Sequence, residues 1–234
     1  MRMKSFFLLV AVVAVVVAGC QNGGIGKKVS LKTSIDSTSY ALGVLLAQQN
    51  KMGLENTPGG KDLDIDIMTS AFHSVLKGDS ASISFEKANE IVSAYFQGAQ
   101  GKIAQKNLEE GNAFLEKNKA NAGVKVTPSG LQYEVIKEGT GKMPNDSDMV
   151  KVHYHGTLID GKVFDSSVDR GEPAEFPVNG VIPGWTEALQ MMPVGSKWKI
   201  YLPASLAYGE RAPQEIGPNK VLIFEVELLE IVKK

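Results

Sequence analysis

The sequence predicts an α+β chain in which an all-α region precedes a mainly antiparallel β-sheet with one short helix. Three observations lead there. The hydrophobic period falls from 3.6 to 2 across "KANAGVKVTPSG", residues 119–130. The run from Ser84 to about Ala120 holds no proline and reads as one long helix. Beyond it the segments alternate between Gly, Pro and Asn turns, and only "GWTEALQMM" interrupts them with a helical pattern. A length of 234 residues at 43% hydrophobic content supports one good core and a second, smaller unit. The net charge of −1 leaves no basic excess to neutralise phosphates, which excludes nucleic acid as an expected partner.

The chain opens with Arg2 and Lys4 before an apolar run from Phe6 to Ala18, too short to span a bilayer and patterned as a signal peptide over residues 1–19. Cys20 is the only cysteine, so neither an internal disulfide nor a cysteine metal cage is available. "VAGC" at Val17 to Cys20 resembles the bacterial lipobox, whose cysteine is lipidated and becomes the mature N-terminus. A lipid on Cys20 holds a protein to a membrane without spanning it. Residues 20–33 read as a flexible tether.

Three helices are expected over residues 34–121. The first, "SIDSTSYALGVLLAQQNKMGL", opens on capping residues Asp36 and Ser37 and carries Tyr40, Val44 and Ala47 on one face, widened by Leu42, Leu45 and Leu46. "DIDIMTSAFHSVLKG" repeats the pattern with Ile67, Met68, Ala71, Phe72 and Val75 and closes at Gly78; His73 falls off the stripe and reads as solvated. The third is amphipathic through Ile91, Val92, Tyr95 and Phe96. After Gln97 its apolar positions thin to Ile103, Leu108, Phe114 and Leu115, as in a helix crossing solvent between two bodies. Its reach is about 50 Å, with Gly98, Gly101 and Gly111 weakening it. Two short helices cannot bury so much apolar surface alone, which points to self-association.

The strands are "LQYEVIKEG", "MVKVHYHGTLI", "SKWKIYLPA" and "VLIFEVELLEIV", and the helix at Gly184 is stopped by "PVG". In the second strand Val150, Val152, Tyr154 and Gly156 share one face, and His153 and His155 share the other. Two histidines at i, i+2 suit a metal, but no third ligand follows at matching spacing. A solvated strand face and no metal site are expected.

"VHYHGTLIDGKVFDSS", "GVIPGWTEALQMMPVGSKWKIYLPASLAYGE" and "LIFEVELLEI" together resemble, in order and spacing, the FKBP-type peptidyl-prolyl cis/trans isomerases. The resemblance covers about residues 125 to 234, so the isomerase domain is expected over 122–234. Residues 34–121 resemble, more diffusely, the dimerisation arm of the macrophage infectivity potentiator-like branch, whose members are exported dimers. The resemblance implies a bent antiparallel sheet of about five or six strands wrapped on one helix, with a pocket between them.

Carried over position by position, the resemblance implies apolar walls at Tyr154, Phe164, Phe176, Val181, Ile182, Trp185 and Phe224, with Trp185 as the floor under a proline ring. Ile216 is expected in a loop overhanging the pocket, behind Glu215. Ala174 stands where many relatives carry an aromatic wall residue, which implies a more open side. Asp165 and Tyr208 match the polar members. The Ile182 N–H and the Tyr208 hydroxyl are implied to orient the peptide, and Asp165, held by Tyr154 and Arg170, to meet the rotated carbonyl. No cofactor is implied. The implied partners are Xaa-Pro segments of exported polypeptides, a second copy of the chain through its N-terminal helices, and a membrane through the lipid. Gln21 after the cysteine points to the outer membrane, facing the periplasm, of a bacterial envelope. The competing reading is a non-catalytic peptide-binding lipoprotein with the same pocket.

Overall fold

The computed structural model describes residues 29–232, so Cys20, the signal segment and residues 20–28 of the tether lie outside the described residues. The chain divides into two compact units, Met1–Lys51 and Met52–Lys234, and the division falls inside the first helix.

Helix α1 runs Ser34–Asn56. Its cap is one turn earlier than the sequence suggests: Thr33 and Asp36 form a reciprocal box. The Asp36 N–H donates to Thr33 Oγ1 at 3.0 Å and the Thr33 N–H to Asp36 Oδ2 at 2.9 Å. Asp36 is therefore the third residue of the helix, not its start. Leu42, Leu45 and Leu46 of α1 stay exposed, Leu45 at 63%.

Helix α2, Ile65–Lys77, starts on Asp64, whose carboxylate accepts from the N–H groups of Asp66 and Ile67, and stops at Gly78 as expected. Its stripe is uncovered, with Ile67 at 70% exposure, and His73 is exposed. Helix α3 spans Phe85–Asn118 without a break. A Cβ at Gly98 or Gly101 would meet nothing, so these glycines only lower propensity and distort nothing.

The C-terminal half of α3 corrects the sequence reading. It does not cross solvent. Ala104, Asn107, Gly111, Leu115 and Asn118 are buried, at spacings of three and four, along one side of the helix. Leu115 joins Tyr201 and Val221 in a cluster flanked by Phe114, Ile159 and Ile223. Gln132 Nε2 donates to the Leu115 carbonyl at 2.9 Å, and Asn118 Nδ2 to Gln132 Oε1 at 3.0 Å.

The sheet holds seven strands among the described residues: β1 Lys125–Val126, β2 Gln132–Lys137, β3 Met149–Thr157, β4 Val163–Ser166, β5 Ala174–Pro177, β6 Lys197–Leu202 and β7 Leu222–Val232. The order is β1-β2-β6-β7-β3-β4, with β5 also on β3, and every pairing is antiparallel. The expected five or six become seven because one edge of β3 is shared: β5 pairs with Met149 to Val152 and β4 with His155 to Thr157. A four-residue helix, α4 Ser167–Arg170, follows β4 directly.

Helix α5, Pro183–Met191, begins with proline at its first position, where the missing N–H costs nothing. It buries Trp185, Ala188 and Leu189 against Val150, Val152, Ile200, Leu202, Phe224 and Val226 of the sheet. Each such fully buried aliphatic side chain contributes roughly 1.5–3 kcal/mol. Among the described residues no helix is long and apolar enough to cross a membrane.

Candidate functional site

The concave side of the sheet and the start of α5 enclose a cavity of about 570 Å³ lined by Tyr154, Phe164, Asp165, Phe176, Gly180, Val181, Ile182, Pro183, Trp185, Tyr208 and Phe224. Its size falls within the roughly 300–1,000 Å³ of small-ligand sites. Trp185 is the fixed point. Tyr154, Phe176 and Phe224 meet it edge-to-face, with centroids at 5.3, 6.0 and 5.2 Å. The indole Nε1 is buried without an acceptor among the described residues, so the floor offers hydrocarbon and no exposed donor.

Phe164 and Asp165 reach the cavity through a defect in the sheet. Thr157 pairs with Val163 and Gly156 with Asp165, which leaves Phe164 as an extra residue in β4. The bulge suspends the usual alternation of faces, so two consecutive side chains line the same space. The turn before it, with Gly161 at φ 85°, is closed by Gly161 N–H to the Leu158 carbonyl at 3.0 Å. Gly156 leaves room for the result. A Cβ there would lie 2.8 Å from Phe164 Cζ and 2.9 Å from Phe224 Cε1.

Asp165 is held on both oxygens. The Tyr154 hydroxyl donates to Oδ2 at 2.5 Å and Arg170 Nη1 to Oδ1 at 2.5 Å. Arg170 Nη2 also donates to the Tyr154 hydroxyl at 2.9 Å, closing the triangle. Burial pushes the Asp165 carboxyl up, but the hydrogen bonds from Tyr154 and Arg170 outweigh it and hold the group below its ordinary value of 3.8. Burial, and then the bond to Asp165, raise the Tyr154 hydroxyl. The Arg170 guanidinium is raised by its bonds to Tyr154 and Asp165.

Tyr208 stands across the mouth, 42% exposed, with no partner for its hydroxyl among the described residues. Ile182 precedes α5 in extended conformation, and its carbonyl accepts from the N–H groups of Trp185 and Thr186. Its own N–H has no acceptor among the described residues.

Of the positions expected around the cavity, all but Ile216 line it. Ile216 is buried at 7% in the main core and borders an adjoining depression of about 310 Å³ with Phe164, Asp165, Tyr208, Pro213 and Glu215. The Lys162 ammonium donates to the Glu215 carbonyl at 2.9 Å and ties this loop to the turn before β4. Ala174 is not among the lining residues. Gly180 and Pro183 line the cavity without having been expected, because they contribute backbone and ring, not a distinctive side chain.

His153 and His155 lie opposite Tyr154, as alternation requires, but they are half-buried instead of solvated. Their Nδ1 atoms sit 3.1 and 3.0 Å from the hydroxyls of Ser167 and Ser166. Among the described residues no three His, Cys, Asp or Glu side chains are grouped to hold a metal.

Residues 140–229 match the FKBP-type peptidyl-prolyl cis-trans isomerase family, and residues 35–135 match the domain amino terminal to FKBP-type peptidyl-prolyl isomerase. The chain is 46% identical over 199 residues to the FKBP-type 22 kDa peptidyl-prolyl cis-trans isomerase of Escherichia coli (strain K12), covering 83% of this chain and 94% of that one. It is 42% identical over 212 residues to the outer membrane protein MIP of Legionella longbeachae, covering 87% and 88%. Among solved structures, FkpA from Escherichia coli superposes with a TM-score of 0.70 at 37% identity, over 86% of this chain and 98% of that one.

Proposed function

The chain belongs to the FKBP-type peptidyl-prolyl cis-trans isomerases, and from that membership we propose that it isomerises Xaa-Pro bonds of exported polypeptides in the cavity over Trp185, with Asp165 favouring the twisted amide. The observation that carries the reading is a carboxylate fixed on both oxygens at the rim of an apolar, aromatic-walled cavity.

Rotation about a prolyl bond breaks amide resonance, against a barrier of roughly 18–20 kcal/mol. No covalent bond is made or broken, so neither nucleophile nor cofactor nor proton transfer is called for. Binding the twisted amide better than the planar one lowers the barrier, by about 1.4 kcal/mol for each tenfold in rate. The walls around Trp185 take the prolyl ring and strip water from the carbonyl, which disfavours the dipolar planar form. The free Ile182 N–H and the Tyr208 hydroxyl orient the peptide, and the Asp165 charge meets the rotated carbonyl. Tyr154 and Arg170 act through Asp165 by fixing it.

The isomerisation rate of a short Xaa-Pro peptide, compared with its thermal value, tests the reading against a non-catalytic peptide binder. A rate left at the thermal value in the presence of peptide-saturated protein would make the cavity a binding module only.

The division into an assembly region over 34–121 and an isomerase region over 122–234 belongs to the same proposal. Exposed apolar faces on α1 and α2 support homodimer formation and a chaperone-like hold on client chains. Lipidation of Cys20 then tethers the enzyme to the envelope by residues 20–33, with the outer membrane, facing the periplasm, as the proposed site. The name of the Legionella longbeachae relative supports that location.

A further inference from the structure

We propose that Asn107, on the long helix α3, is a positioning residue for the Tyr208 hydroxyl at the mouth of the cavity; the inference rests on the reading of Tyr208 as a group that orients the peptide. The Tyr208 hydroxyl has no hydrogen-bond partner among the described residues, and the residue is 42% exposed. No bond of its own fixes the hydroxyl, so its place depends on the backbone on either side of it as well as on the packing of its ring.

On the C-terminal side that backbone is a loop whose neck is closed by one bond, from the Asn219 N–H to the Gly209 carbonyl at 2.8 Å. Gly209 directly follows Tyr208. Asn219 holds the neck at φ 53°, the one positive φ outside glycine among the described residues, a conformation that Asn tolerates better than most L-residues.

Helix α3 grips this neck. Asn107, 6% exposed, donates from Nδ2 to the Pro218 carbonyl at 2.7 Å. One turn earlier the Ala104 carbonyl accepts from Asn219 Nδ2 at 3.4 Å. One turn later Gly111 lets the helix touch Val221, whose Cγ2 would lie 2.8 Å from a Cβ at that position. Pro218 is buried, and Asn107 Nδ2 is the side-chain donor that its carbonyl has among the described residues. The path from Asn107 through Pro218, Asn219 and Gly209 to Tyr208 is continuous in bonds and chain. The helix that carries the N-terminal region thus also sets a binding group of the isomerase site.

The test is a double-mutant cycle on the full chain, reading kcat/KM with an Xaa-Pro peptide. Asn107→Ala is expected to lower kcat/KM about fivefold, the scale of one hydrogen bond. In a Tyr208→Phe background the same substitution should change it by less than about twofold, because the hydroxyl that it misplaces is already gone. Asn219→Gly keeps the left-handed backbone and removes only the bond to Ala104. It should follow the same pattern with a smaller loss, and it carries the cycle alone if Asn107→Ala does not fold. Equal losses in both backgrounds overturn the inference and leave a purely structural role. Unchanged kcat/KM in folded Asn107→Ala overturns it too. If Tyr208→Phe by itself has no effect, the reading of the hydroxyl fails and the inference fails with it, whereas additive losses sink the inference alone.

Discussion

Phe164 and Asp165 are consecutive residues of one strand and line the same cavity, because Gly156 faces both across a bulge. A regular strand would have sent one of them to the far face of the sheet. The bulge puts a hydrocarbon wall and a fixed charge side by side, which is the pairing that the proposed mechanism needs. Tyr154 and Arg170 then fix the carboxylate.

Asp165→Leu keeps approximate volume and removes the charge. The expected result is a fall in kcat/KM of roughly tenfold or more, about 1.4 kcal/mol in transition-state stabilisation. Thermal stability should change little, because Arg170 and Tyr154 still bond each other at 2.9 Å and Asp165 is 45% exposed. Near wild-type turnover would leave desolvation by the aromatic walls as the source of catalysis and make Asp165 a structural tie.

Acid should spare this carboxylate. The Asp165 pKa is held below its ordinary value of 3.8 in the folded protein by the bonds from Tyr154 and Arg170, so the carboxylate is ionised through the neutral range and loses its charge only as pH falls through that lower value. The ratio of wild-type to Asp165→Asn kcat/KM is therefore expected to be flat from pH 8 to 5 and to shrink only below about pH 4. A ratio that titrates between pH 5 and 7 would mean that Tyr154 and Arg170 do not hold Asp165 ionised.

Trp185→Ala should damage activity and stability together. The indole is 4% exposed and meets three aromatic rings. Its removal leaves a void costing about 3–5 kcal/mol and takes away the floor under the prolyl ring. Denaturant unfolding and the peptide assay check the two halves; loss of activity at full stability would show that the ring serves the substrate without supporting the core.

Gly156→Ala tests the bulge. The new methyl would meet Phe164 and Phe224 at under 3 Å, and these two rings already pack edge-to-face at 5.4 Å. Overpacking of this kind costs about 1–3 kcal/mol, and the displaced Phe164 should carry Asp165 with it. Reduced stability with unaltered kcat/KM would mean that the two residues move independently.

The sheet was legible because its signals are local: alternation and turn residues. The cavity was legible only through the family resemblance, since each aromatic alone reads as ordinary core; Tyr154, Trp185 and Phe224, which the resemblance implied, line one cavity. The docking of α3 was not legible. Its buried stripe is Ala104, Asn107, Gly111, Leu115 and Asn118, in which small and amide side chains replace the apolar ones that a hydropathy pattern detects. Asn107 and Asn118 look solvated in sequence, and only their carbonyl and amide partners, far along the chain, explain their burial. Ile216 borders the adjoining depression with Phe164, Asp165 and Tyr208, and the Lys162 bond to its loop joins positions 53 residues apart, which no local pattern reveals.

The same docking fixes where the chain can be cut. A truncated chain starting at Val124 keeps every residue of the cavity but loses Phe114 and Leu115, which cover Tyr201, Val221, Ile159 and Ile223. It also loses the Asn107 bond to Pro218. Starting at Gly98 instead retains the whole buried stripe and discards α1, α2 and the exposed apolar start of α3. Both should be monomeric by sedimentation if α1 and α2 form the dimer. The shorter one should be less stable by at least about 2 kcal/mol, from Leu115 burial alone, which corresponds to a drop in Tm on the order of 10 °C for a domain of this size. The longer one should keep close to full-length activity on short peptides yet assist refolding of a protein client poorly, because two-site capture by the paired arms is gone. Equal melting temperatures for the two would mean that α3 does not pack on the sheet in solution, and a dimer starting at Gly98 would move the interface out of α1 and α2.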